Sequence, residues 1–187
     1  AWCCALDLSE GMLRSLSAGA NERVQRVCAD ASVLPMASSA FDLVVSNFAL
    51  HWCDDPLQVL NELHRVCVPG GQAFCVIPVS GSLSARGDTR TTGASLLPLA
   101  TWQHALAASP WTLRQADSET YEEFHDSPTA WLSTLRALGV TAQRPAASVN
   151  ALSPRQALQQ LHRRLESARE PAGIPLRYEV WRIHLQA

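Results

Sequence analysis

Along the first eighty residues, short apolar runs alternate with stretches in which apolar residues recur every three or four positions. The runs are residues 1–6, Val24–Cys28, Phe41–Ser46 and Gln72–Val79, each of strand length and bounded by polar or turn-forming residues. After the first run, Met12, Leu13 and Leu16 follow Ser9, whose hydroxyl suits an N-cap because it can accept from an unpaired amide of the first helical turn. After the third, Leu57, Leu60, Leu63 and Cys67 form one apolar face behind Asp55-Pro56, an N-cap acid with a proline at the first helical position. Pro69-Gly70-Gly71 is expected to end that helix before the fourth strand. Strand and helix alternating in this way predict βαβ units, a parallel sheet and right-handed crossovers.

The second half is less periodic. Residues 80–100 are rich in Ser, Gly and Thr and predict a loop or lid entering a short helix near Leu97–Ala107. Thr120–His125 reads as a strand, and Ser127-Pro128 caps a helix that reaches Leu138. Ser153-Pro154-Arg155-Gln156 is a capping box, opening a helix to about Arg169. Leu176–Leu185 reads as a final strand. With no internal repeat, the pattern predicts one α/β domain over residues 1–187.

Composition narrows the picture. The chain has 187 residues, 47% hydrophobic and 17% charged with a net charge of -2, enough to bury a sizeable core. That balance argues against a disordered, collagen-like or nucleic-acid-coating protein. All 15 basic side chains are Arg, whose planar fork suits bidentate carboxylate recognition. The six cysteines, Cys3, Cys4, Cys28, Cys53, Cys67 and Cys75, form no C-x-x-C pair and read as small buried hydrophobes rather than metal ligands or redox centres. No signal peptide or membrane-length apolar segment is visible, so a reducing, cytoplasmic setting and no membrane partner are expected. The chain opens Ala-Trp-Cys-Cys-Ala-Leu-Asp, already inside a strand-like run, and the protein is expected to start upstream.

Each of the first three strands ends on a polar side chain: Asp7, Asp30 and Asn47, the last preceded by Ser46. In open parallel sheets ligands bind outside the carboxyl ends of the strands. One acid there is commonly a cap or turn former. Three polar ends along one edge point to a nucleotide-like ligand, since a carboxylate accepts from ribose hydroxyls or an adenine amino group.

The segments ALDLSEGML, ADASVLPMASSAFDLVVSN and ELHRVCVPGG resemble, in order and spacing, those after the second, third and fourth strands of class I S-adenosylmethionine-dependent methyltransferases. The resemblance implies a Rossmann-like sheet with flanking helices and S-adenosyl-L-methionine as cofactor. It implies that Asp7, with Leu8 beside it, holds the ribose and that Asp30 holds the adenine amino group with Ala31 beside the ring. Ser46 and Asn47 would lie near the methionine end of the cofactor. The family's first strand and Gly-rich turn are absent from these residues. Because that strand lies between the second and fourth in the family's sheet, two half-sheets with unpaired inner edges are expected. The 187-residue chain alone is then expected to bind cofactor poorly.

Further segments, SNFALHWC, GSL at Gly81–Leu83, LRALGVT at Leu135–Thr141, LSPRQAL near Ser153 and PLRYEVW at Pro175–Trp181, resemble the malonyl-acyl-carrier-protein O-methyltransferases of biotin synthesis. This resemblance implies methylation of a free malonyl carboxylate on acyl-carrier protein, an ionised nucleophile that needs positioning rather than a strong general base. No catalytic side chain is expected. His51 and Trp52 are candidates for the pocket floor, although a loop histidine can equally pack against the next helix. Arg136, Arg144 and Arg177 are candidates for the substrate carboxylate, each also readable as a solvated surface charge. Arg155, Arg163, Arg164 and Arg169 either meet an acidic carrier protein or form an ordinary solvated face with Glu166 and Glu170. An acidic net charge without aromatic-basic interleaving argues against nucleic acid. Two rivals share the first half: a methyltransferase for another small metabolite, and a non-catalytic protein that keeps the fold as scaffold.

Overall fold

The computed structural model describes residues 2–16, 24–85, 96–138 and 153–187. In chain order these form β1 (Cys3–Asp7), α1 (Glu10–Ser15), β2 (Val24–Cys28), β3 (Phe41–Asn47), a 3-10 turn (Leu50–Trp52), α2 (Pro56–Val66), β4 (Cys67–Pro78), α3 (Leu99–Ala108), β5 (Thr112–His125), α4 (Pro128–Ala137), α5 (Pro154–Ser167) and β6 (Ile174–Gln186). The helix starts follow the cap residues. Ser9 Oγ accepts from the Met12 amide, and Asp55 Oδ1 accepts from the amides of Leu57 and Gln58. Ser127 Oγ accepts from Ala130, and Ser153 with Gln156 closes the capping box.

The strands fall into two sheets, as expected for this sheet without its central strand. β1 and β2 pair in parallel, from Cys3↔Val24 to Asp7↔Cys28. The other sheet has the order β3-β4-β6-β5, with β3 and β4 parallel. Neither β1 nor β3 has a partner on its remaining edge among the described residues.

Two boundaries and one buried face differ from the sequence reading. Pro69-Gly70-Gly71 does not separate α2 from the fourth strand, because β4 begins at Cys67 directly after the helix. The turn is absorbed as an irregularity: Phe41 pairs with Cys67 but Leu43 with Gln72. Gly70 has φ +81, and a Cβ on Gly71 would lie 2.9 Å from the Val68 carbonyl oxygen, so neither position suits a larger residue. β5 starts at Thr112 rather than Thr120. Its first eight residues are almost all exposed and at the sheet edge, so no apolar alternation marks them. In α1 only Leu13 is buried, while Met12 and Leu16 face outward.

The chain divides into two compact units, Ala1–Ile77 with Ala100–Ala116 and Arg182–Ala187, and Pro78–Leu99 with Asp117–Trp181. In the first, one face of α2 (Val59, Leu60, Leu63, Val66) is buried, as are Ala73, Cys75 and Ile77 of β4 and Trp102 and Leu106 of α3. Trp111 Nε1 donates to the Leu60 carbonyl at 2.8 Å, giving a buried indole its hydrogen-bond partner. In the second, Leu83, Trp131, Leu135, Leu165, Ile174 and Leu176 make a core cluster, and Trp131 Nε1 donates to the Pro175 carbonyl at 3.0 Å. The buried-hydrophobe reading of the cysteines holds for Cys67 and Cys75; burial raises the pKa of both thiols, that of Cys75 to about 12. It fails for Cys3 and Cys28, which are exposed because β1 and β2 have little packed against them.

Candidate active site

The parallel register sets the end of β1 beside that of β2, and the Ala29 amide donates to the Asp7 carbonyl at 3.1 Å, carrying the ladder one step further. Each acid then closes a turn on its own backbone. Asp7 Oδ1 accepts from the Ser9 amide and Asp30 Oδ1 from the Ser32 amide, both at 2.7 Å. In each carboxylate this leaves Oδ2 without a partner among the described residues. Apolar surface lies beside them in sequence, with Leu8 71% and Val33 67% exposed and Ala31 half-buried.

At the end of β3, strand alternation sends Ser46 and Asn47 to opposite faces. Ser46 shares its face with half-buried Val44, and Asn47 shares its face with exposed Val45 and Leu43. Ser46 Oγ is buried without a hydrogen-bond partner. Phe48 then takes φ +52, turning the chain into the 3-10 turn, where Leu50 is buried and anchors the segment. His51 is half-buried, with its ring 4.8 Å from that of Trp52 and tilted by 38°. Burial alone lowers its pKa to about 4, and Nδ1 is buried without a partner. Just beyond, burial raises the pKa of the Cys53 thiol most, with Ser32 and Asp30 close enough to act on it. The segment after β3 thus meets the loop after β2.

That loop is tethered by residues the sequence reading passed over. Arg65 donates to the carbonyls of Met36 at 2.8 Å and Leu34 at 3.0 Å. Glu62 accepts from the Leu34 amide at 2.8 Å and from Arg65 at 2.7 Å. The hydrogen bond from Arg65 is the largest cause holding the Glu62 carboxyl below its ordinary range. Their i,i+3 spacing on α2 was the available signal, but it shows a pair on a helix and not what the pair reaches. Beside the loop, Ser32, Val33, Asp55, Leu57, Gln58 and Glu62 line an open groove of about 560 Å³.

The substrate-side arginines belong to the second unit, and the structure treats them differently. Arg136 is exposed in the last turn of α4. Arg177 gives both Nε and Nη2 to Glu179 Oε1 at 2.7 Å and has Nη1 3.7 Å from Glu122. Glu179 is in turn held by Thr120 Oγ1 at 2.9 Å and, through its backbone, by Ser82 Oγ. Arg144 lies outside the described residues. On α5, Arg155, Arg163 and Arg164 are exposed, whereas Arg169 lies past the helix end, paired with Glu166 and donating to the Asp126 carbonyl.

This set of groups suits a nucleoside with a charged tail: two carboxylates with acceptor capacity to spare, apolar surface beside them and an orphaned hydroxyl at the next strand end. Among the described residues no group of three or more His, Cys, Asp or Glu is arranged to hold a metal ion, and no helix is long and apolar enough to cross a membrane.

Residues 1–75 match the family described as "Methyltransferase domain". The chain is 32% identical over 184 residues to the malonyl-[acyl-carrier protein] O-methyltransferase of Alcanivorax borkumensis, an alignment covering 94% of this chain and 62% of that protein. It is 30% identical to the enzyme of the same name from a Marinomonas species, covering 94% of this chain and 67% of that protein. The chain thus spans about two thirds, or slightly less, of these relatives' length. Among solved structures, a putative methyltransferase from Bacillus halodurans superposes with a TM-score of 0.67 at 16% identity, covering 98% of this chain and 81% of that one, a likeness of fold. With its strand order, its polar strand ends and these relatives, the chain belongs to the malonyl-acyl-carrier-protein O-methyltransferase family of class I S-adenosylmethionine-dependent methyltransferases.

Proposed function

We propose that the protein methylates the free carboxylate of malonyl-acyl-carrier protein, giving the methyl ester in an early step of biotin synthesis in a reducing, cytoplasmic setting. The reading is supported most by the relatives' names over nearly the whole of this chain, and by the paired strand-end carboxylates Asp7 and Asp30. S-adenosylmethionine, when bound, supplies an electrophilic methyl group on a sulfonium. Asp7 and Leu8 take the ribose side, Asp30 and Ala31 the adenine, and Ser46 and Asn47 the methionine end. His51 and Trp52 form the floor beneath the acceptor.

The malonyl carboxylate is ionised at neutral pH, so no side chain has to remove a proton. The residues of this chain contribute by orienting the acceptor oxygen and shedding its water. Of the described arginines named for the substrate, Arg136 is exposed with no ion pair among the described residues, while the guanidinium of Arg177 is engaged by Glu179. Arg136 is therefore the better partner for the substrate carboxylate, with Arg144 the other candidate. The exposed Arg155, Arg163 and Arg164 suit the acidic surface of a carrier protein. Because β1 and β3 each keep an edge unpaired among the described residues, this chain by itself is proposed to bind cofactor weakly.

The test is transfer of labelled methyl from S-adenosylmethionine by the whole protein to malonyl-acyl-carrier protein, with acetyl-acyl-carrier protein as control. Label on the malonyl form alone supports the reading. Label on neither, with cofactor still bound, moves the reading to a methyltransferase for another small metabolite.

A further inference from the structure

His51 stands out among the polar groups near the end of β3. Its Nδ1 is sealed from solvent with no hydrogen-bond partner among the described residues, and Nε2 is not among the atoms orphaned in that way. The ring is fixed against Trp52 on a 3-10 turn anchored by buried Leu50. A neutral imidazole carries one proton, on either nitrogen. A proton on Nδ1 would be a buried donor without an acceptor, the rarer and costlier kind of orphan, while a bare Nδ1 leaves only a lone pair unmatched. The imidazolium carries protons on both nitrogens and meets the same objection. Its lowered pKa agrees with a ring that stays neutral.

We infer that His51 is a fixed neutral donor whose Nε2–H orients the acceptor oxygen of the substrate carboxylate. The role, though not the tautomer, rests on the carboxyl methyltransferase reading. A neutral donor suits this nucleophile. It aligns one oxygen through a hydrogen bond without placing a full positive charge on it, which would lower its tendency to attack the methyl carbon. Ser46 Oγ, at the end of β3 just before this turn, is a second buried polar atom without a partner among the described residues.

Two measurements test this. The first is the ¹⁵N–¹H side-chain spectrum of this chain at pH 7, with the His51 signals assigned by their loss in H51Q. The expected pattern is a bare Nδ1 and a protonated Nε2. A protonated Nδ1 or an imidazolium overturns the inference.

The second compares H51Q and H51N in the whole protein. A glutamine amide reaches about where Nε2 sits, and an asparagine amide about where Nδ1 sits. H51Q should keep kcat/KM for malonyl-acyl-carrier protein within about threefold, and H51N should lose about tenfold, the scale of one neutral hydrogen bond. Cofactor affinity should be unchanged in both. Equal losses in the two variants overturn the orienting role. If the unsubstituted protein gives no transfer to the malonyl form, the substrate reading and the orienting role fail together, and the spectrum alone decides the tautomer.

Discussion

The β1–β2 pair and the β3-β4-β6-β5 sheet divide the work of the protein unevenly. Asp7, Leu8, Asp30 and Ala31 stand at the ends of β1 and β2, yet among the described residues of 2–40 only Leu13 of α1 is a buried hydrophobic. β4 and β6 show the reverse: Ala73, Cys75, Ile77, Ile174, Leu176, Trp181, Ile183 and Leu185 are buried, and none carries a group with a role in the proposed chemistry. The proposed binding groups are concentrated where packing is thin. The reason is partly geometric. A parallel pair with no neighbour on either edge among the described residues has few apolar contacts to offer, while its strand ends still set the register of the acids.

The largest expected effect tests the packed side of this contrast. Trp131 is fully buried in the second unit's core, and its Nε1 donates to the Pro175 carbonyl. Trp131→Ala should destabilise by about 3–5 kcal/mol, read as a lower denaturant midpoint. Leu8→Ala, at a position 71% exposed, should move it by no more than about 0.5 kcal/mol. Similar losses in the two variants would erase the distinction between the regions.

Asp7→Asn tests the thin side. The amide keeps an oxygen for the Ser9 amide but loses the charge, so stability should hardly change. Cofactor affinity of the whole protein should fall about tenfold or more, the scale of a hydrogen bond to a charged group. Calorimetric titration checks this, and an unchanged affinity removes Asp7 from the site. A smaller effect is expected from Asp55→Ala, which strips the cap from α2 and should cost about 1 kcal/mol. Thermal unfolding measures it.

What was legible in the sequence follows the same division. Strand ends and caps announce themselves locally: Asp7, Asp30, Asp55 and the Ser153 capping box each act within a few residues of their own position. The two separate sheets were legible only through the family resemblance, since an unpaired edge leaves no local pattern. The engagement of Arg177 by Glu179 pairs positions i and i+2 on one strand, which share a face, but a two-residue spacing does not announce a salt bridge. The long β5 was hidden because its first half is exposed and polar. Least legible was the tether on the loop that follows Asp30, because Arg65 and Glu62 reach back about thirty residues to Leu34 and Met36.

That tether gives the smallest effect, and it separates loop order from global stability. Glu62 has a folded-state pKa below its unfolded value, chiefly through the hydrogen bond from Arg65. Its contribution is therefore fully present above the unfolded pKa and is lost as pH falls through the lower, folded one. On acidification below the ordinary carboxylate range, the Leu34 amide, which donates to Glu62 Oε2, should lose hydrogen-exchange protection before amides in β4 do. In Glu62→Gln that protection should be lower at neutral pH and nearly independent of pH across the same range, because no charge remains to titrate. Cofactor affinity should fall by less than about threefold, since the side chain holds the Asp30 loop without touching the ligand. If Leu34 and the β4 amides lost protection together, the loop would belong to the same cooperative unit as the packed sheet, and the thin region would be thinner in side chains than in stability.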